Sequence, residues 1–196
     1  MICWYCDISE KKICVENIKN TYFNTRANEY KLSDDKYRTF VSYLLLKQMV
    51  SKIYNLDLDN ISIVRDKNNK PIVADNCFYF NISHSNNIVA VAIDDSSIGI
   101  DVEKPRKIDM RVVAKYFDTM RPQLLNEKSA DDEYTKQWTI YESKLKLFGS
   151  RQLLSENKNN IRTHSTIIYD SFGTSYHLSA STLKCFDDLK PMKFNF

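Results

Sequence analysis

Residues 78–103 read FYFNISHS-NN-IVAVAIDDSS-IGIDVE, three short apolar runs that are joined by polar turns. The alternation predicts an antiparallel meander of three strands, over residues 78–83, 88–94 and 98–103. Asn86-Asn87 suits a tight hairpin between the first two strands, because asparagine tolerates left-handed backbone dihedrals. The third run ends in a pair of acidic side chains.

These two acidic residues, Asp101 and Glu103, stand two positions apart, so their side chains project from the same face of the predicted strand. Two carboxylates at this spacing repel each other unless a cation lies between them, which indicates a metal site. A third oxygen ligand is expected from Glu142, one helical turn before Lys146. The alternatives are a solvated strand end for the first pair and an exposed ion pair for the second.

The composition of the 196-residue chain is that of an ordinary globular protein, with 43% hydrophobic and 27% charged residues. A net charge of +3 is too small to indicate nucleic-acid binding. No apolar run approaches the roughly 18 residues that a membrane helix needs. We therefore expect neither a nucleic acid nor a membrane as a partner.

The five cysteines do not form a recognisable metal or disulfide pattern. Cys3 and Cys6 have the spacing of a metal or redox pair, but no second cysteine pair or nearby histidine completes a zinc site. Free thiols and the absence of a signal peptide predict a cytoplasmic protein.

The remaining pattern predicts an α+β protein. Expected elements are a strand over 1–8, a weak helix over 9–30, helices over 37–54, 109–117 and 133–148, a strand over 61–64, and two or three strands after 162. Gly149 suits the C-terminal cap of the last of these helices. The order of elements predicts two α+β halves, residues 1–98 and 99–196.

Four motifs in order carry a resemblance to a known family. They are Asn69-Lys70-Pro71, Asn81-Ile82-Ser83-His84-Ser85, Gly99-Ile100-Asp101-Val102-Glu103, and the helical segment from Trp138 through Glu142 to Lys146. Together, over about residues 36–149, they resemble the 4′-phosphopantetheinyl transferases of the large, surfactin-synthetase-activating type. The corresponding family motifs are Gly-Lys-Pro, Asn-x-Ser-His-Ser, Gly-Ile-Asp-x-Glu and Trp-x-x-Lys-Glu-x-x-x-Lys.

The resemblance implies a fold of two similar α/β halves with antiparallel sheets, related by a pseudo-twofold axis. It implies transfer of the 4′-phosphopantetheine arm from coenzyme A to a serine of an apo acyl or peptidyl carrier protein, with release of 3′,5′-ADP. The reaction would need Mg²⁺ or Mn²⁺, and a monomer would contain the whole site. The carrier protein and the pathway stay open.

The resemblance also assigns roles to residues. Asp101, Glu103 and Glu142 would hold the metal, and Lys146 would neutralise the pyrophosphate. Glu142, or a water molecule on the metal, would take the proton of the attacking serine. The coenzyme A contacts would come from Lys70, Pro71, Ser83, His84 and Lys146, and on a weaker alignment from Arg26, Arg38 and Thr39.

The chain departs from the family pattern at Asn69 and Tyr141, and the second of these leaves another interpretation open. Asn69 replaces a glycine, although asparagine is the residue best able to imitate glycine there. Tyr141 replaces the first lysine of the helical motif, which removes one cation. The alternative reading is therefore a degenerate homologue that binds coenzyme A or a carrier protein with little turnover. A third interpretation is an unrelated structural or interaction protein in which the motifs match by chance.

Overall fold

The structure is a computed structural model that describes residues 1–10, 13–14, 17–107, 127–186 and 188–196. Its strands are β1 Ile2–Asp7, β2 Ile63–Arg65, β3 Pro71–Val73, β4 Tyr79–Ser85, β5 Ile88–Asp94, β6 Ile98–Glu103, β7 Arg162–Tyr169, β8 Ser175–Thr182 and β9 Met192–Lys193. Its α-helices are α1 Thr21–Glu29, α2 Ser33–Tyr54, α3 Glu127–Phe148 and α4 Arg151–Asn157.

The strands form two main sheets and a short ribbon. The first sheet has the order β4-β5-β1-β9, in which β9 alone runs parallel to its neighbour, β1. The second sheet, β6-β8-β7, is antiparallel throughout, and β2 pairs with β3. The fold is therefore mixed α+β, as the sequence predicts.

The predicted three-stranded meander is wrong in its last strand. The hairpin between β4 and β5 forms as expected, and Asn86 at its tip has a φ of 48°. However, β5 already has β4 on one side and β1 on the other, so no edge is left for β6. Consequently β6 crosses to the second sheet and pairs with β8.

Both faces of β5 are buried, which explains its uninterrupted apolar sequence. Val89, Val91 and Ile93 pack in a core that includes α2. The alternate residues, Ile88 and Ala90 among them, pack in a second core with β6 and β8. The first sheet thus lies between α2 and the second sheet.

The long helix α3 covers the other face of the second sheet through a layer of small and polar residues. Thr139 contacts the hydroxyl of Ser179 at 2.9 Å, and Ser143 contacts that of Ser181 at 2.8 Å. The pairs match because four helical residues and two strand residues both span about 6–7 Å. A Cβ atom on Gly99 would lie only 2.1 Å from the Ser143 carbonyl oxygen, so the helix backbone rests directly on β6.

The predicted helices over 37–54 and 133–148 are confirmed. The first begins at Ser33, in the sequence Ser33-Asp34-Asp35 that is typical of a helix start, and the second begins at Glu127, earlier than predicted. Gly149 caps α3 with a φ of 72°, and its amide donates to the Leu145 carbonyl at 2.8 Å. The helix predicted over 9–30 is limited, among the described residues, to α1, which begins where the Asn20 side chain accepts a bond from the Tyr22 amide. The segment 109–117 lies outside the described residues.

Cys3 and Cys6 cannot share a metal ion. They are buried in different cores, on opposite faces of β1. Burial raises the pKa of the Cys3 thiol to about 12 and that of Cys6 to about 11, so both stay protonated near neutral pH. Among the helices that the structure describes, none has the length and apolarity to cross a bilayer.

Candidate active site

A cleft of about 700 Å³ brings together nearly all of the residues that the motifs single out. Its lining includes Arg26, Thr39, Lys70, Pro71, Ser83, His84, Asp101, Glu103, Glu142 and Lys146. Arg38 is the exception, since its guanidinium pairs with Asp35 at 2.8 Å and donates to the Asn86 carbonyl at 3.0 Å. Residues from α1, α2, β4, β6 and α3 thus meet around a single cavity.

Asp101 lies at the centre of one end of the cleft. Its Oδ1 atom accepts hydrogen bonds from Lys146 Nζ at 2.7 Å and from Ser83 Oγ at 2.9 Å. Its Oδ2 atom is buried and has no hydrogen-bond partner among the residues that the structure describes. A buried carboxylate oxygen without a partner is costly, so this atom favours a ligand that can satisfy it.

Two further carboxylates, Glu103 and Glu142, face the same end of the cleft. Burial raises the pKa of each carboxyl, and the negative charge of Asp101 raises both further. A bond from Ser85 partly offsets the effect at Glu103. The negative charge of Asp101 therefore disfavours the ionised forms of Glu103 and Glu142, and a cation between the carboxylates would oppose this effect.

The donor set fits a hard divalent cation, which prefers carboxylate oxygens. Within the part of the chain that the structure describes, however, no three acidic, histidine or cysteine residues are spaced to bind a metal ion by themselves. Mg²⁺ commonly keeps few protein ligands and takes the rest of its shell from phosphate oxygens and water. The site is of that incomplete kind.

The opposite end of the cleft is cationic and aromatic. The guanidinium carbon of Arg26 lies 4.6 Å from the ring centroid of Tyr30, and that of Arg65 lies 5.5 Å from the ring centroid of Tyr22. All four residues line the cavity. The sequence reasoning missed Arg65, and its position on the strand that leads into the Lys70-Pro71 motif is the one signal that could have identified it.

Between the two ends lies the turn that joins β2 and β3. Asp66 Oδ1 accepts bonds from the amides of Asn68 at 2.8 Å and Lys70 at 2.9 Å. Asn69 has a φ of 66°, so it adopts a left-handed conformation, which glycine takes without strain and asparagine tolerates. The departure from glycine is thus accommodated by the backbone.

The same turn forms hydrogen bonds with the C-terminal end of α3. Lys70 Nζ donates to the carbonyls of Leu147 at 2.9 Å and Ile98 at 3.0 Å, and to Ser97 Oγ at 3.2 Å. Asn68 Nδ2 donates to the Phe148 carbonyl at 3.3 Å. Burial lowers the pKa of Lys70 to about 8. The Lys70 stem therefore lines the cleft while its ammonium caps the helix.

Of two other residues from the sequence analysis, His84 lines the cleft and Tyr141 does not. His84 is partly exposed to solvent. Desolvation of its imidazole by the surrounding protein lowers its pKa to about 4, and the positive charges of Arg38 and Lys146 also lower it. His84 is therefore neutral near pH 7. Tyr141 is not among the lining residues, and its ring centroid lies 6.0 Å from that of Trp138, which is one of them.

Comparison with known proteins identifies relatives of one kind. A family model described as the N-terminal part of 4′-phosphopantetheinyl transferase matches residues 4–96. The chain is 30% identical over 135 residues to the 4′-phosphopantetheinyl transferase Sfp of Bacillus subtilis, covering 67% of this chain and 60% of that protein. It is also 30% identical over 140 residues to 4′-phosphopantetheinyl transferase gsp of Aneurinibacillus migulanus, covering 69% and 59%.

A third relative, the 4′-phosphopantetheinyl transferase psf-1 of Bacillus pumilus, is 29% identical over 127 residues, covering 63% of this chain and 54% of that protein. The chain thus spans between half and two thirds of the length of these curated relatives. From these matches, the chain belongs to the 4′-phosphopantetheinyl transferase family, as a homologue of its Sfp-type members.

Proposed function

We propose that this chain transfers the 4′-phosphopantetheine arm of coenzyme A to a serine of an apo acyl or peptidyl carrier protein and releases 3′,5′-ADP. The observation that carries the proposal is the single cleft with two chemically distinct ends. A cationic, aromatic end suits a phosphorylated nucleotide, and an end with carboxylates and a lysine suits a metal-bound pyrophosphate.

In this proposal Arg26 and Arg65 hold the nucleotide phosphate, and the rings of Tyr22 and Tyr30 contact the base and ribose. The turn at Lys70-Pro71 forms the wall beside them. The pyrophosphate then reaches the carboxylate end, where Lys146 exchanges its bond to Asp101 for a bond to a phosphate oxygen. A positively charged donor at this point stabilises the charge that develops on the leaving 3′,5′-ADP.

Asp101, Glu103 and Glu142 are the residues that would hold Mg²⁺ or Mn²⁺. The cation supplies charge neutralisation to the pyrophosphate oxygens when it is bound. Asp101 Oδ2, which is buried and lacks a hydrogen-bond partner in the described part of the chain, supports this assignment.

The chemical step forms a bond between the carrier serine Oγ and the β-phosphorus, and it breaks the bond between that phosphorus and the bridging oxygen. The serine proton goes to a base, and the bridging oxygen leaves on 3′,5′-ADP. Glu142 is the base in this proposal, because its carboxylate lines the same cleft as Asp101 and Lys146.

The division into two related halves, residues 1–98 and 99–196, belongs to the same proposal. In its support, α2 and α3 are both 22 residues long, and each packs on its own sheet. The described lining of the cleft comes from both halves of one chain, which supports a monomer as the active form.

The direct test is incubation of the protein with Mg²⁺, coenzyme A and a panel of apo carrier proteins, followed by mass spectrometry of the carrier. We expect a mass gain of one phosphopantetheine arm. Glu142→Gln should abolish the gain, whereas Glu133→Gln, on the same helix but outside the cleft, should not. Coenzyme A binding without product on any carrier would contradict the proposal and indicate the degenerate homologue.

A further inference from the structure

Strands β4 and β6 lie side by side but are held together by side chains instead of main-chain pairing. The amide of Ile100 donates to Asn81 Oδ1 at 2.9 Å, and the amide of Val102 donates to Ser83 Oγ at 3.2 Å. The amide of Lys104 donates to Ser85 Oγ at 3.2 Å. We refer to Asn81, Ser83 and Ser85 as the amide ladder.

The spacing of the ladder follows from strand geometry. Donors and acceptors both advance by two residues from one bond to the next, so the two strands run in the same direction with alternate residues facing each other. Within the described chain, β6 has a paired strand on one side only. Its buried amides on the other side need acceptors, because an unsatisfied buried amide costs about 1–3 kcal/mol.

The two serines of the ladder also hold the two carboxylates of β6. Ser83 Oγ donates to Asp101 Oδ1 at 2.9 Å, and Ser85 Oγ donates to Glu103 Oε2 at 2.8 Å. In each case the serine accepts a bond from the amide that directly follows the carboxylate residue. The same unit therefore occurs twice, and it fixes each carboxylate relative to its own backbone.

The hydroxyl of Ser83 has no capacity left for a further ligand. It donates its one proton to Asp101 and accepts from both Val102 N and Lys146 Nζ, the latter at 3.0 Å. A serine hydroxyl offers one donor and two acceptor positions, and all three are in use. Ser83 can therefore act on a bound ligand by orienting the Asp101 carboxylate.

We propose that the amide ladder is a positioning device for a divalent cation site, and that Ser85 is the positioning residue for Glu103 as Ser83 is for Asp101. This inference rests on the proposed function for its biological role, but its geometry and its test need no transfer reaction. A hydroxyl that holds a carboxylate in one orientation lowers the cost of arranging that carboxylate around a cation.

The test compares Ser85→Ala with Ser85→Thr, which keeps the hydroxyl, and with Ser51→Ala, an exposed serine of α2. The first readout is amide hydrogen exchange by NMR in metal-free protein. Ser85→Ala should speed exchange of the Lys104 amide about 10-fold, because the loss of one hydrogen bond lowers its protection by about that factor. Ser85→Thr and Ser51→Ala should change the exchange rate less than about 2-fold.

The second readout is Mn²⁺ affinity without coenzyme A, measured by electron paramagnetic resonance. Ser85→Ala should weaken it about 10- to 100-fold, and Ser85→Thr should restore it. The proposal is overturned if Ser85→Ala leaves both readouts unchanged, or if the wild-type protein binds no Mn²⁺. If both readouts behave as expected while no carrier is modified, the ladder stands and the proposed function fails.

Discussion

The ammonium nitrogen of Lys146 lies 2.7 Å from Oδ1 of Asp101, so an ion pair joins α3 to β6 across the cleft. Asp101 is almost entirely buried in this pair, whereas about a third of the Lys146 side chain is exposed. The lysine can therefore leave the carboxylate more easily than the carboxylate can move. In the proposed mechanism, a divalent cation would compete with Lys146 for the negative charge of Asp101 until the lysine binds a phosphate group.

The first prediction follows from this competition. Lys146→Met should tighten Mn²⁺ binding in the absence of coenzyme A, because Asp101 loses its internal cation. It should also lower the rate of arm transfer about 10²- to 10³-fold, as removal of one donor to a developing charge does. The control is Lys144→Met on the same helix, outside the cleft lining. Unchanged Mn²⁺ affinity in Lys146→Met would show that the ion pair does not compete with the cation.

A second prediction concerns the contact of α3 with β6. In Gly99→Ala the new Cβ would lie 2.1 Å from the Ser143 carbonyl oxygen and 2.4 Å from the Leu147 amide nitrogen, both backbone atoms that cannot turn away. The helix must shift, and we expect a loss of about 2–4 kcal/mol in the free energy of unfolding, measured with urea.

Gly173→Ala is the matched control for that substitution. Gly173 has a φ of 77° but no heavy atom within 4 Å of the added Cβ, so only backbone strain of about 1–2 kcal/mol is expected. Equal losses in the two variants would contradict the close approach of α3 to the sheet.

The third prediction concerns pH and the buried ammonium of Lys70. Its pKa is about 8 in the folded protein, against about 10.4 for an unfolded lysine. Between these values the unfolded chain holds more protons, so the contribution of Lys70 to folding stability rises with pH. From about pH 7 to about pH 9.5, wild-type protein should gain about 2 kcal/mol relative to Lys70→Met.

Urea denaturation at the two pH values measures this difference. Lys67→Met is the control, since Lys67 is an exposed lysine of the same turn and should change little with pH relative to wild type. A Lys70→Met protein whose stability tracks the wild type at both pH values would mean that the ammonium is not buried against the end of α3.

The fourth prediction separates two arginines. Arg65 lines the cleft, while Arg38, the candidate from the sequence, is paired with Asp35 outside its lining. Arg65→Ala should weaken coenzyme A binding about 10- to 100-fold by calorimetry, because a charge-assisted bond to phosphate is lost. Arg38→Ala should weaken it less than about 3-fold. The loss at Arg65 should shrink with dephospho-coenzyme A, and the reverse ranking would restore Arg38 as the phosphate ligand.

The sequence predicted the local elements well because their signals are local. The apolar spacing of α2, the cap at Gly149 and the hairpin at Asn86 depend on neighbouring residues and are confirmed. The candidate site residues were also expected to lie together, and all of them except Arg38 line the cleft.

What the sequence could not supply is the choice of long-range partners. The third run of residues 78–103 has the pattern of a strand, but no pattern in it reveals that β1 occupies the free side of β5. Likewise, the family resemblance led us to expect Lys70 among the coenzyme A contacts, yet the direction of its ammonium depends on where α3 ends in space. Arg65 likewise becomes a candidate because the fold brings it into the lining of the cleft.

The amide ladder between β4 and β6 affects how the sequence of this fold can vary. A main-chain ladder is the same for almost any sequence, so point substitutions rarely break it. Here the side chains of Asn81, Ser83 and Ser85 make hydrogen bonds between the two sheets, so a single substitution removes one of these bonds. The hydrogen bonds between the two sheets can therefore be changed one at a time by single substitutions, both during evolution and by protein engineering.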